Sequence, residues 1–592
     1  MNTETRAGRP RDRWTAGRGV ILGAALLAAA APAGAQDARD PRIGLRAGWS
    51  DAGVAVRGME LVSHTDRPEG FFNPAEQGDF DFANTDMAFS GSRLFVGSYN
   101  GFQVWDISNP ARPRLTSSLV CPGGQGDVSV HGNLLFMSVE ETRGRTDCGT
   151  QGVRDTVSSD RFRGVRIFDI SNVNRPRQVA AVQTCRGSHT HTLVPDARDA
   201  GKVYVYVQGT SGVRPAAELS GCSARNSTED PNTSYFRIEV IEVPLARPQD
   251  ARIVNTPRIF ANAQTGAING LNQGGRQTAD AQQTAQTNQC HDITAYPAIG
   301  LAAGACAGNG ILLDIRNPAN PVRVDEVMDP NFAYWHSATF NNDGSKVLFT
   351  DEWGGGSAPR CRATDRPTWG ADAIFTLSGH ELRHAGYFKM PAAQTAQENC
   401  VAHNGTLVPV PGRDIMVQSW YQGGISVFDF TDPANPVEIA FFDRGPYSAT
   451  ESILGGFWSS YWYNGRIYGT EIGRGLDVFR LLPSEHLSQN EIDAANLVRV
   501  RELNPQNQQR IVWPAHFSVA KAYADQLARG GGLPGTRTVR LQRDIEAAER
   551  MRGAARRAAL TRLATQLDGE AAGARDGARV RALAGVLRDL AR

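Results

Sequence analysis

The chain has 592 residues, with 62 Lys+Arg against 61 Asp+Glu. That balance leaves no global charge to draw the protein to nucleic acid or to an acidic surface. Glycine (62) and proline (31) separate short apolar runs, which predicts many strands and tight turns rather than a mainly helical chain.

The first element is a leader. Arg6, Arg9, Arg11, Arg13 and Arg18 precede an apolar stretch at residues 20–31, and Ala33-Gly34-Ala35 fits the small-x-small cleavage rule. Residues 1–35 read as a signal peptide and 36–57 as a linker. The apolar stretch is short for a membrane span, although an uncleaved anchor is the alternative. No later stretch is apolar enough to span, so the mature chain, beginning at Gln36, is expected to be secreted or periplasmic, without a membrane span.

A repeat follows. Val104-Trp105-Asp106-Ile107-Ser108-Asn109-Pro110 is its first copy. Ile167-Phe168-Asp169-Ile170-Ser171-Asn172, Leu312-Leu313-Asp314-Ile315-Arg316-Asn317-Pro318 and Val427-Phe428-Asp429-Phe430-Thr431-Asp432-Pro433 repeat it. Weaker copies at residues 238–248, 374–382 and 476–483 make seven. In each the apolar run is a strand, the Asp ends it, and the Asn-Pro type of ending forces a turn. With further strands on both sides, each unit has about four, the composition of a β-propeller blade. The expected fold is therefore all-β: a seven-bladed propeller over residues 58–482. The strand at Met59-Glu60-Leu61-Val62 is available to complete the last blade, and the polar stretch 264–289 reads as a mobile surface insertion.

These repeats resemble the LVIVD-repeat proteins, a group of mostly bacterial exported β-propellers. The resemblance covers residues 58–482 and is specific in four copies. It implies the fold, and adhesive or surface roles at most, so function has to come from a site.

One short motif, His-x-x-Thr, occurs four times at matched places: His189 to Thr192, His291 to Thr294, His336 to Thr339 and His403 to Thr406. Each falls on the expected first strand of its unit, the strand that lines a propeller channel. Asp86, Asp127 and Trp458 hold the matching place in the other three units. Imidazole is the commonest protein metal ligand, and several from rigid strands would fix a site before an ion arrives. His189, His291, His336 and His403 are therefore the candidate ligands. His191 is an additional candidate, expected on the same strand face as His189. Glu140, Glu352 and Glu471, each following a second strand, are candidates to orient the rings. All-histidine ligation suits Cu, Fe or Zn alike. The arrangement is similar in architecture to carotenoid cleavage oxygenases and to selenium-binding or methanethiol oxidase propellers, whose channel histidines hold a metal, although neither motif set is present in full. That similarity implies a metal-dependent oxidoreductase acting on a small molecule at the channel mouth. The competing reading is a channel filled by structural histidines, in a non-catalytic scaffold that binds a protein or glycan through its loops and tail. A hydrolase lacks any nucleophile–base pair.

The eight cysteines are even in number, and with a leader they read as disulfides. Sequential pairing is favoured: Cys121 with Cys148, Cys185 with Cys222, Cys290 with Cys306, and Cys361 with Cys400. A thiolate metal site is the alternative, since Cys185, Cys290 and Cys400 lie just before three of the histidine motifs.

Residues 483–592 change period. Ser488-Gln489-Asn490-Glu491 matches a capping box. Helical spacing follows from Phe517 to Arg529, from 539 to 567 and from 575 to 590, with Leu560, Leu563 and Leu567 in a stripe. A small α-helical tail built as a hairpin is expected.

Overall fold

The structure is a computed structural model that describes residues 39–592; the proposed signal peptide lies outside them. Four-stranded antiparallel meanders make up most of it. The first runs through Asn84–Ser90, Arg93–Ser98, Gly101–Asp106 and Arg114–Val120. Similar meanders start at Val128–His131, His191–Pro195, Ile293–Tyr296 and Trp335–Phe340. A nine-stranded sheet holds two more, joined by a short parallel pairing of Asn404–Val408 with Phe457–Tyr463. The result is a β-propeller-like arrangement whose first strands touch one another from sheet to sheet.

The repeated Asp is an Asx turn. Asp106, Asp169, Asp314 and Asp429 each accept from the backbone N–H two residues on, at 2.8–2.9 Å. Asn109, Asn172 and Asp432 do the same one step later. The short side chain satisfies backbone donors that the ending strand leaves free, so the chain reverses at a fixed place.

Both ends of the chain are stitched into this frame. Met59–Thr65 pairs with Gly475–Leu481, as the sequence suggested, so the last meander takes its outer strand from the N-terminal side. Val54–Arg57, inside the expected linker, adds a further strand against Val437–Arg444. On the C-terminal side, residues 502–513 form a strap across the inner edges of five sheets. Leu503 pairs with Phe89. The Asn504 side chain bonds both the N–H and the C=O of Val130, at 2.7 and 2.8 Å. Gln506 and Gln508 bracket Ala295, Gln508 also bonds Phe340, and the Trp513 indole N–H donates to Pro409 O.

The polar stretch 264–289 is fastened rather than loose. Gln282 donates to Asp351 at 2.9 Å, and Thr287 donates to Asn309 at 2.8 Å. Its amides replace the apolar residues that a packed segment normally uses, which is why composition alone suggested mobility.

All eight cysteines pair in sequential order. The thiolate alternative is thereby excluded. The closed loops span 16 to 39 residues, each worth on the order of 3 kcal/mol in the chain-entropy account.

The tail differs from a hairpin. After a capped helix, Gln489–Ala495, with the Ser488–Glu491 capping box in place, four helices follow: Phe517–Arg529, Gly535–Arg550, Gly553–Glu570 and Gly577–Ala591. They share a core in which Leu560, Leu563 and Leu567 meet Leu527, Leu541, Ile545 and Leu583. The expected helix over 539–567 is broken at Met551, with Gly553 in the left-handed region at φ +52°. Among the described residues no helix is long and apolar enough to cross a membrane.

Asn504→Ala strands a buried donor and a buried acceptor of Val130 together. It should lower stability by about 3 kcal/mol, read as a lower urea midpoint; an unshifted midpoint would show that the strap is dispensable.

Candidate metal centre

The four motif histidines converge. The His189 and His291 rings meet edge to face with centroids 4.4 Å apart. His291 and His336 follow at 3.9 Å, and His336 and His403 at 4.2 Å. The arc ends on Tyr421, 4.4 Å from His403, and on Trp458, 5.2 Å away. Residues far apart in sequence thus form one unbroken series of rings.

Local chain geometry explains the convergence. Cys290 and Cys400 lie in disulfides just before His291 and His403, and Cys185 lies in another before His189. The backbone N–H of His291 donates to Ala305 O at 2.8 Å, and that of His403 to Ser419 O at 3.1 Å. The motif threonine ties one inner strand to the next. Thr192 Oγ1 donates to Ile293 O at 2.5 Å, and Thr406 Oγ1 accepts from Trp462 N at 2.9 Å.

The hydrogen bonds also choose tautomers. His403 Nδ1 faces the Trp458 carbonyl, which only accepts, so that nitrogen carries the proton. His189 Nδ1 lies 2.7 Å from Glu140 Oε1, and His291 Nδ1 lies 3.0 Å from Asp292 Oδ1. In each ring, when neutral, Nε2 is left with its lone pair, the state a metal ligand needs. The Nε2 atoms of His336 and His403 are buried without a hydrogen-bond partner. Both face Glu352, at 3.8 and 3.6 Å. Two overlapping groups have ligand atoms within 4.8 Å of one another: His291, Asp292 and His336, and His336, Glu352 and His403. His336 is common to both.

Electrostatics agree. Burial, with the neighbouring imidazoles, pushes His336 well below the ordinary histidine range. Burial does the same to His403, so both are neutral at pH 7. Burial also acts on His189, but the Glu140 carboxylate outweighs it and raises that imidazole. Glu140 is held low by the same pair despite its burial. Burial raises Glu352, and its Oε1 accepts from the Tyr421 hydroxyl at 2.6 Å.

Other sequence candidates sit differently. His191 does not share a face with His189: the chain bends at His189 and becomes extended only from His191. Alternation therefore fails, and His191 instead contacts Ser138 at 2.9 Å and Asp127 at 3.2 Å. Glu140 stands behind His189, as an orienting group should. Glu352 does not; it lies on the Nε2 side, where a ligand would be. Glu471 touches none of the four histidines' rings through a hydrogen bond, being taken by Arg474 at 2.9 Å and by the Tyr447 hydroxyl at 2.6 Å. Asp292 was overlooked, although it stands beside His291 in the motif. Tyr421, from a loop, carried no signal of its own.

Asp86 and Asp127 are both fully buried. Asp86 accepts from Ser459 at 2.9 Å, from Tyr461, and from Gln506 of the strap at 3.0 Å. A cavity of about 240 Å³ opens onto His189, His291 and Glu352, between walls that include Phe80, Tyr99, Tyr334, Tyr421 and Trp458.

The family model for the LVIVD repeat matches residues 84–120, the first meander. No curated protein matches the chain. Among solved structures, a putative 6-phosphogluconolactonase from Bacteroides fragilis is 8% identical over 66% of this chain and 88% of its own, with a TM-score of 0.37. The periplasmic gluconolactonase PpgL of Pseudomonas aeruginosa is 13% identical over 66% and 96%, at 0.39. The N-terminal domain of Nup159 is 10% identical over 72% and 96%, at 0.41. Likeness this distant carries no chemistry to the histidine arc.

Burial and the nearby Asp127 raise the Asp86 carboxyl from 3.8 to about 7. A raised carboxyl binds its proton more tightly folded than unfolded, so its contribution is complete below pH 3.8 and lost as pH rises through 7. Asp86→Asn mimics the protonated form, and its amide can meet Gln506 Oε1, which lacks a partner. The variant should lose the part of the stability–pH slope between those values, measured by denaturant titration across that range; an unchanged slope would contradict it.

Proposed function

We propose that this chain is an exported seven-bladed β-propeller metalloprotein. His189, His291, His336 and His403, with Glu352, would hold a transition metal ion, and the protein would act as a metal-dependent oxidoreductase on a small molecule. The observation that carries this is the pair of buried, partnerless Nε2 atoms of His336 and His403 turned toward Glu352. A buried imidazole nitrogen without a partner is costly by about 1–3 kcal/mol, and a metal ligand role removes that cost. Tautomers fixed through Nδ1 at three of the rings point the same way. Cu, Fe and Zn all suit such donors, with Cu or Fe required for electron transfer.

When bound, the ion would supply Lewis acidity and, for Cu or Fe, one-electron chemistry. The chain's own groups have separate tasks. Glu140 holds the His189 ring by its Nδ1 proton. Tyr421 donates to Glu352 and so fixes the carboxylate that faces His336 and His403.

Four disulfides support an oxidising location, secreted or periplasmic. With them goes the division into a signal peptide at 1–35, a linker at 36–57, the propeller at 58–482 and a helical region at 483–592. A non-catalytic scaffold is the second reading, favoured by the separate helical core of the tail.

The purified protein, supplied in turn with Cu, Fe and Zn, should retain a stoichiometric ion by elemental analysis. His336→Ala and His403→Ala should lose it, whereas His191→Ala should keep it. Glu140→Gln should weaken retention by about 10- to 100-fold. Metal content equal in all five proteins, or absent from the parent, would leave the scaffold reading in its place.

A further inference from the structure

The cavity over the histidine arc has a chemistry of its own, and it points to a ligand class. It measures about 240 Å³. That lies below the range of about 300–1,000 Å³ typical for drug-sized ligands. An apolar cavity of about 150 Å³ is enough for benzene, so this one takes a single ring with a small substituent.

Its walls are aromatic and continuous. Phe80 and Tyr99 pack edge to face with centroids 4.8 Å apart, and Trp458 lies 6.5 and 6.3 Å from them. Tyr421 meets Trp458 at 6.1 Å and 85°. Rings this close form a wall for a flat ligand to lie against.

Charge narrows the class further. No lysine or arginine is among the cavity-lining residues. The nearest arginines are occupied. Arg186 donates to Ser211 O, Asn288 O and Gln289 Oε1 at 2.9 Å each, and Arg143 is paired with Asp81 and Glu141. An anion entering the cavity would thus meet the Glu352 carboxylate with no lysine or arginine to offset it. Glu140 is paired with His189, and Glu352 Oε1 accepts a hydrogen bond from the Tyr421 hydroxyl. The second oxygen of Glu352 is available to a hydroxyl donor.

We infer that the cavity binds a molecule with one aromatic ring and one hydroxyl group, the phenol class, with the ring against the Phe80–Tyr99–Trp458 wall and the hydroxyl donating to Glu352. The inference rests on the reading of this cavity as the substrate side of the metal centre. Its test is nevertheless made on metal-free protein, so that a failed metal assay and a failed ligand assay are separate results.

The full chain, dialysed against chelator, is titrated calorimetrically with phenol, benzoate and cyclohexanol. Phenol should bind about tenfold more tightly than benzoate, whose charge loses hydration beside Glu352 with no lysine or arginine partner, and more tightly than cyclohexanol, which lacks the flat ring. Phe80→Leu should weaken phenol by about fivefold through loss of the ring contact, with unchanged circular dichroism. Leu454 lines the same cavity on a loop, and Leu454→Arg should reverse the order of phenol and benzoate. Benzoate binding the parent as tightly as phenol would overturn the inference, as would phenol affinity that neither variant changes.

Discussion

The pairing of Met59–Thr65 with Gly475–Leu481 is the constraint on which the rest depends. Each meander offers the next a first strand, and the histidine arc exists only if those strands stay in contact around the channel. A sheet that takes its outer strand from the far end of the chain turns an open row into a closed one. It also removes an exposed strand edge, which otherwise invites pairing with other chains. The clusters on either side of the junction show the consequence: Met87, Phe89 and Trp105 of the first meander pack with Tyr461, Tyr463 and Tyr468 of the last. The strap at residues 502–513 repeats the same logic at one end of the channel, using side-chain amides where the inner strands have no further strand to pair with.

Closing the strands inward brings polar residues together where water is scarce. Two outcomes appear on the two sides. Asp86 is surrounded by hydroxyl and amide donors, a carboxyl satisfied by the fold itself. At His336 and His403 the fold satisfies or contacts Nδ1 and leaves Nε2 bare. Burial is equally deep in both places, so the difference is one of intent in the donor set: the carboxyl has its partners within the chain, whereas the imidazoles have theirs only in part. A buried lone pair facing a carboxylate is poorly explained by packing and well explained by a cation between them.

Access to the arc follows from the same asymmetry. His189 and His291 border the cavity, while His336 and His403 sit behind them. Disulfides at Cys290, Cys400 and Cys185 fix the approach of three of the four motifs, so the arc does not depend on loop packing alone.

The sequence by itself determined the repeat, its strand-ending turn and the four histidines at equivalent places, and it favoured the sequential disulfide order that the structure has. These depend on local spacing, and a period of recurring residues is visible without coordinates. It also led to Glu140 and Glu352 through their place after a second strand. Only the tertiary structure decided which face each residue presents. One bend at His189 sends His191 to Asp127 instead of to the arc, and a single-residue change of phase in extended chain reverses a side chain. Glu471, equivalent in sequence to Glu140, is taken by Arg474 three residues on and by the Tyr447 hydroxyl from another loop. Tyr421 and the Trp458 carbonyl join the centre through contacts between strands and loops distant in sequence, and no spacing records such contacts. The helical bundle differs from the expected hairpin for a related reason: local propensity marks where helices are strong, but the break at Met551 and the shared core depend on which apolar stripes find one another.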